Sequence, residues 1–185
     1  FESLPGGGVG ERHLLRKSQP MRDWDFLFEA AGPGSTYVFS PTAHSALVEV
    51  INRLDYSRIG VHDWYVYALA RAIGLTWVIG EEPTLEYRQH GGNVQGANSG
   101  SGARDARMEK LRNGFYRNQF ILTARAAQQV GAFDAPRRIE LAQILRELEA
   151  DSQWARLRFA LRYRQIRRDR LEGIKLAAAR FLRVW

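Results

Sequence analysis

Two groups of polar residues bracket the stretch 60–93, and their side chains are suited to proton transfer and phosphate or metal binding. His62 and Asp63 stand at one end; Arg88, Gln89 and His90 stand at the other. A carboxylate such as Asp63 can take a proton from a hydroxyl as that oxygen attacks. His90 is followed by Gly91 and Gly92, where the backbone can come close to a ligand. A third run, Gly32-Pro33-Gly34-Ser35-Thr36, offers bare backbone N–H groups and two hydroxyls. Spacing alone leaves two readings open. In one, Asp63 caps a helix, His90 is a loop residue bonded to backbone, and Gly-Pro-Gly is a strand-entry turn. In the other, the three groups line one site.

The elements that would carry these residues can be read from the pattern around them. The apolar run 64–73 lies between Asp63 and Gly74 and predicts a helix with an acidic first turn and a glycine stop. A carboxylate there sits at the positive end of the helix dipole. Trp64, Val66, Tyr67, Leu69, Ala70 and Ile73 leave that helix buried on most sides. The β-branched and aromatic run 76–79 predicts a short strand, ended by Glu81-Glu82-Pro83, and 84–88 predicts another. Upstream, 12–17 and 35–40 read as strands. The segment 41–54 reads as a helix with Leu47, Val48, Val50, Ile51 and Leu54 inward. The glycines of 1–11 predict a flexible loop and not a Walker loop, because no Gly-Lys-Ser/Thr follows. Asp23-Trp24-Asp25 spells a metal-binding Asp-x-Asp but follows a polar stretch where an apolar strand is wanted. It reads instead as a cap on the short apolar piece 26–30.

After residue 97 the composition changes. The stretch 98–103 is a Gly/Ser linker. Helices are expected over 104–130, weakened at Gly114, then after Pro136, then from near Ser152 to the end with a break near Gly173. The last of these shows an apolar face, Trp154, Leu157, Leu161, Ile166, Leu171, Ile174, Ala178 and Leu182, with arginines opposite. The chain carries a net charge of +7. From Asp151 onward there are ten Lys/Arg against three Asp/Glu, and the rest of the chain holds seventeen of each sign. The basic character therefore belongs to the tail and says nothing of what the core binds. Such a tail packs on its own core, lies on an anionic membrane surface, or binds nucleic acid.

At 185 residues with 45% hydrophobic composition, the chain suffices for one domain with a sizeable core. It has no cysteine, which excludes a disulfide scaffold and a thiolate metal site. No run is long and apolar enough for a signal peptide or a spanning helix.

The segments GPGSTYVFS, VHDWYVYALARAIG and EYRQHGGNVQGAN, taken in order, give 12–98 a resemblance. It resembles the C-terminal half of a family 2 glycosyltransferase of the GT-A fold, nearest in pattern to rhamnosyltransferase-like enzymes of bacterial polysaccharide synthesis. The resemblance implies an α/β fold. Residues 1–98 would be the acceptor-side half with a mixed sheet, 99–103 a linker, and 104–185 a helical extension. It implies transfer of a sugar, with inversion, from a nucleotide-diphosphate donor to a glycan or lipid-linked acceptor. Asp63 would be the general base, His62 its neighbour in an x-acid-Asp motif on the substrate side, and Gly34, Ser35 and Thr36 the lining of the donor sugar. Arg88 would hold the diphosphate or form a structural ion pair. His90 would bind Mg²⁺ or Mn²⁺ beside the departing diphosphate. The implied location is cytoplasmic, peripheral on the inner face of the inner membrane through the C-terminal helices, with no nucleic-acid partner. The family's nucleotide-binding half is not seen, and the chain opens on Phe1 as a fragment would. On that footing the chain by itself is expected to be inactive. Two other readings stand beside this one: a truncated, non-catalytic remnant, and a basic helical module for membrane or nucleic acid.

Overall fold

The computed structural model describes residues 17–83, 85, 101–163 and 166–185. Arg88, Gln89 and His90 lie outside the described residues, as do His13, the strands expected at 12–17 and 84–88 (save Lys17 and Leu85), and the glycine loop after His90. The helices are α1 (Pro41–Ile51), α2 (His62–Ala72), α3 (Ser101–Arg112), α4 (Phe115–Val130), α5 (Ala135–Glu149), α6 (Gln153–Arg162) and α7 (Arg170–Phe181). Two 3₁₀ turns, Asp25–Leu27 and Gly34–Thr36, precede them.

Among the described residues there is no β-strand, which overturns the expected α/β fold with a mixed GT-A sheet. The physical reason is visible at the two segments whose composition predicted strands. Burial alternates along 37–40 and 75–80: Tyr37, Phe39, Trp77 and Ile79 are partly covered, while Val38 and Val78 are bare. Their aromatic rings pack edge-on, Tyr37 on Trp77 at 4.8 Å and Phe39 on Trp77 at 5.8 Å. The side-chain alternation of a strand is thus present, but no backbone ladder joins the two segments. Alternation reports which side is covered; a ladder also needs a partner backbone in register. Ser35 and Thr36, expected to begin a strand, are instead in the 3₁₀ turn.

The helix starts follow capping chemistry. Ser40, Asp134, Ser152 and Asp169 each accept a backbone N–H from the first turn of α1, α5, α6 and α7. Gly114, in the left-handed conformation at φ 79°, separates α3 from α4. The break in the last helical segment falls before Arg170, and Gly173 is buried inside α7.

One core reaches from the first described elements to the last residue. Phe28 meets Phe120 at 5.0 Å, Phe120 meets Trp185 at 5.1 Å, and Trp185 meets Phe159 at 5.6 Å. Such offset and edge-on pairs add to the burial of large rings. A second cluster, with Leu47, Leu54, Tyr65, Leu69, Ala70 and Ala126, fastens α1 and α4 to α2. Arg117 and Arg180 close the C-terminal end of α5. The Arg180 guanidinium is buried and donates to the carbonyls of Ala150 at 2.6 Å and Trp185 at 3.0 Å. Arg117 reaches the carbonyls of Leu148 and Glu149 at 2.9 and 3.0 Å. Both answer the orphan carbonyls and negative pole of a helix end.

Of the apolar face read for the last helical segment, Ile166 is buried, but most of the rest points outward. Trp154 and Leu161 on α6, and Leu171, Ile174 and Leu182 on or just after α7, are exposed. The side turned inward carries Ala155, Phe159, Gly173, Leu176, Ala177 and Arg180. Small residues let α6 and α7, which pack on each other, approach closely. The guanidinium of Arg180 is drawn in by the α5 carbonyls. Hydrophobicity alone would have chosen the opposite face.

Candidate functional site

Helix α2 places the expected base. Its N-cap is Val61, which offers no side-chain cap, so Asp63 lies in the first turn and does not cap the helix. Its carboxylate turns instead toward the glycine turn 29 residues upstream. The Gly34 N–H donates to Asp63 Oδ2 at 3.3 Å, and the Trp64 N–H donates to Oδ1 at 2.8 Å. A carboxylate has about four lone-pair directions, so each oxygen keeps one free for a substrate hydroxyl. The glycine is required by space. A β-carbon on Gly34 would lie 2.9 Å from the Asp63 β-carbon and 3.9 Å from His62 Nε2. Thus Gly34, His62 and Asp63, expected in one site, are brought together. Ser35 and Thr36 flank them in the same turn and are exposed. The Thr36 hydroxyl donates to the Pro33 carbonyl at 2.7 Å, and the Tyr37 hydroxyl donates to the Gly32 carbonyl at 3.0 Å. These two bonds fix the turn. They also occupy the Thr36 donor, which leaves its oxygen as an acceptor.

The two ends of α2 are held by residues in roles that the sequence did not suggest. Gln119, buried on α4, accepts the Gly60 N–H at 2.9 Å and donates to the Arg58 carbonyl at 3.1 Å. It braces the loop that enters α2. Gln119→Leu keeps the volume but strands two backbone groups, so a loss of about 1–3 kcal/mol in unfolding free energy is expected. Urea denaturation of the two proteins measures it.

At the other end stands Asp25, fully buried. The Tyr67 hydroxyl donates to its Oδ2 at 2.9 Å and Arg168 Nη1 donates to the same oxygen at 3.0 Å. Oδ1 takes Arg71 Nη1 at 3.2 Å and the Arg22 N–H at 3.3 Å. Arg168 also bonds Glu29 through its backbone N–H and donates to the Ala30 carbonyl at 2.6 Å. The Asp-x-Asp spelling is therefore not a paired metal ligand, since Asp23 is exposed and Asp25 is buried. Nor does Asp25 cap its 3₁₀ turn, whose N-cap is Trp24. The only sequence signals for this anchor were the i, i+4 pair Tyr67 and Arg71 on the buried helix and an arginine excess in the tail. Among the described residues no three acidic or histidine side chains gather closely enough to hold a metal ion. The described part of the site, Asp63 and His62, does not make a divalent cation's ligand set by itself.

Burial pushes the phenols of Tyr37 and Tyr163 up to about 12; the Asp63 carboxylate adds to the effect at Tyr37 and Glu147 at Tyr163. The phenol of Tyr67 is also raised, by burial first and then by Asp25. An unfolded tyrosine ionises near pH 10. The stabilisation these groups give is whole below about pH 10 and is lost as pH rises toward their folded values. Thermal melts from pH 9 to 12 are expected to show a falling midpoint, with Tyr37, Tyr65, Tyr67 and Tyr163 ionising late in an ultraviolet titration.

Comparison with known proteins finds one informative likeness. The chain is 38% identical over 122 residues to a dTDP-rhamnosyl transferase, RfbG, of Shigella flexneri. The match covers 63% of this chain and 41% of that protein, so the chain spans about two fifths of the length of the curated relative it matches. No protein-family model matches the chain, and no solved structure matches it.

Proposed function

We propose that this chain is part of a glycosyltransferase of polysaccharide synthesis that moves rhamnose from dTDP-rhamnose to an acceptor hydroxyl, with Asp63 as general base. The observation that carries the reading is the contact of the Gly34 N–H with the Asp63 carboxylate. It joins two segments, far apart in sequence, that the resemblance assigns to the donor sugar and to the base. The likeness to a dTDP-rhamnosyl transferase supports dTDP-rhamnose as the donor.

The acceptor hydroxyl approaches a free lone pair of Asp63. As its oxygen attacks the anomeric carbon, its proton passes to the carboxylate and the dTDP departs from the opposite side, inverting that centre. The turn Gly34–Thr36, with its backbone and the Ser35 hydroxyl, faces the sugar, and His62 lies at its edge. Arg88 is assigned to the diphosphate and His90 to a Mg²⁺ or Mn²⁺ ion. Both lie outside the described residues.

The test is a transfer assay with the intact protein, dTDP-rhamnose and an acceptor fraction extracted from bacterial membranes, read by mass spectrometry. Addition of one deoxyhexose to a glycan or glycolipid, absent with UDP-glucose as donor, is the expected result. A folded protein that leaves dTDP-rhamnose unconsumed in the presence of acceptor and Mn²⁺ contradicts the reading.

A further inference from the structure

The outward side of the last two helices is unusual for a surface in water. Trp154, Leu161, Leu171 and Leu182 are 73, 66, 58 and 70% exposed. On α6, Trp154 and Leu161 are seven residues apart and share a face. On α7, Leu171, Ile174, Ala178 and Leu182 follow the same helical spacing, and all four are exposed. The opposite sides of both helices are occupied, burying Ala155, Phe159, Leu176 and Ala177 against the body. The apolar stripes are therefore surplus to the core. Single exposed apolar residues are ordinary; aligned runs on neighbouring helices mark an interaction surface.

Charge selects the occupant. Arg158, Arg162, Arg170, Lys175 and Arg183 are exposed among these residues. The whole excess of positive charge in the chain lies in this region. A second copy docking by the same face would bring like charges together. An amphipathic helix with leucine, isoleucine and tryptophan on its outer face and basic residues beside them is suited to the interface of an anionic bilayer. No helix among the described residues is long and apolar enough to cross a membrane, so the contact is with the surface.

We propose that α6 and α7 form a peripheral membrane-docking surface for anionic lipid, with Trp154, Leu161, Leu171, Ile174 and Leu182 entering the headgroup–acyl boundary and the neighbouring arginines and lysine meeting the phosphates. Arg168 and Arg180 are excluded from that role because both are buried in internal bonds. The inference stands on the exposed stripe and the charge, and is independent of the transfer reaction.

Sedimentation of the purified protein with vesicles tests it, comparing pure phosphatidylcholine with a mixture containing about 30% phosphatidylglycerol. Binding to the anionic vesicles and not to the neutral ones is expected. The triple variant Trp154→Ser, Leu171→Ser, Leu182→Ser is expected to lower the partition coefficient by at least about tenfold. Lys175→Gln is expected to lower it by about fivefold. All four positions are exposed, so the variants should melt as the parent does. Failure to bind anionic vesicles overturns the proposal, as does anionic binding that the triple variant leaves unchanged. A parent that self-associates at micromolar concentration and becomes monomeric in the triple variant also overturns it, since the stripe would then be a protein interface.

Discussion

Asp25→Ala is expected to lower the unfolding free energy by about 3–5 kcal/mol, the range for removing one partner from a buried ion pair. Asp25 is fully buried, and its two oxygens receive Tyr67, Arg71, Arg168 and the Arg22 N–H. The alanine variant leaves the Arg168 guanidinium inside the protein with Glu29 as its one acidic partner among the described residues. The loss is greater than the hydrogen-bond count suggests because a desolvated cation has no water to return to. Adding Arg168→Met to Asp25→Ala removes that stranded charge and is expected to recover part of the loss. A deficit under about 1 kcal/mol in Asp25→Ala, measured by urea denaturation, would show that the cluster is not a structural anchor. The same cluster ties the segment before α7 to the helix that carries Asp63, so the double variant also reports whether the tail helps hold the site.

Asp63→Asn is expected to reduce transfer by about 10²–10⁴-fold, the usual contribution of a positioned general base. Asparagine is nearly the same shape and keeps one of the two oxygens that accept the Gly34 and Trp64 N–H groups, so the fold is expected to survive with one of those bonds lost. Donor binding should change little, because the base meets the acceptor hydroxyl and not the nucleotide. The loss should therefore appear in kcat with KM for the donor nearly unchanged. Turnover within threefold of the parent, or roughly so, would remove Asp63 from the role. Loss of the fold, detected by circular dichroism, would mark the contact with Gly34 as structural.

The sequence located the helices well because their starts carry local chemistry. Ser40 before Pro41, Asp134 before Pro136 and Ser152 are signals within a few residues, and α2 runs close to where the apolar stretch 64–73 put it. The pairing of Gly34 with Asp63 was reached through resemblance; no local rule joins positions 29 residues apart. Among the described residues the sheet did not appear, because the segments around Val38 and Val78 show strand-like alternation without a partner ladder. Asp25 was read as a cap because a carboxylate beside a short apolar run usually is one. Its true partners, Arg71 and Arg168, lie 46 and 143 residues away. The direction of the apolar stripe of α6 and α7 stayed open in the sequence for a related reason. Periodicity shows that a helix has two faces, but the choice between them depended on α5 carbonyls needing Arg180.

The most direct test of the central claim is a nuclear magnetic resonance titration of the intact protein, isotope-labelled in this part of the chain, with dTDP-rhamnose. The contact between the Gly34 turn and Asp63 predicts that the amide signals of Gly34, Ser35, Thr36, His62 and Asp63 shift together and saturate along one curve, more strongly than with dTDP alone. If those five signals stay fixed at millimolar donor while signals elsewhere move, the site assigned here is not where the sugar binds.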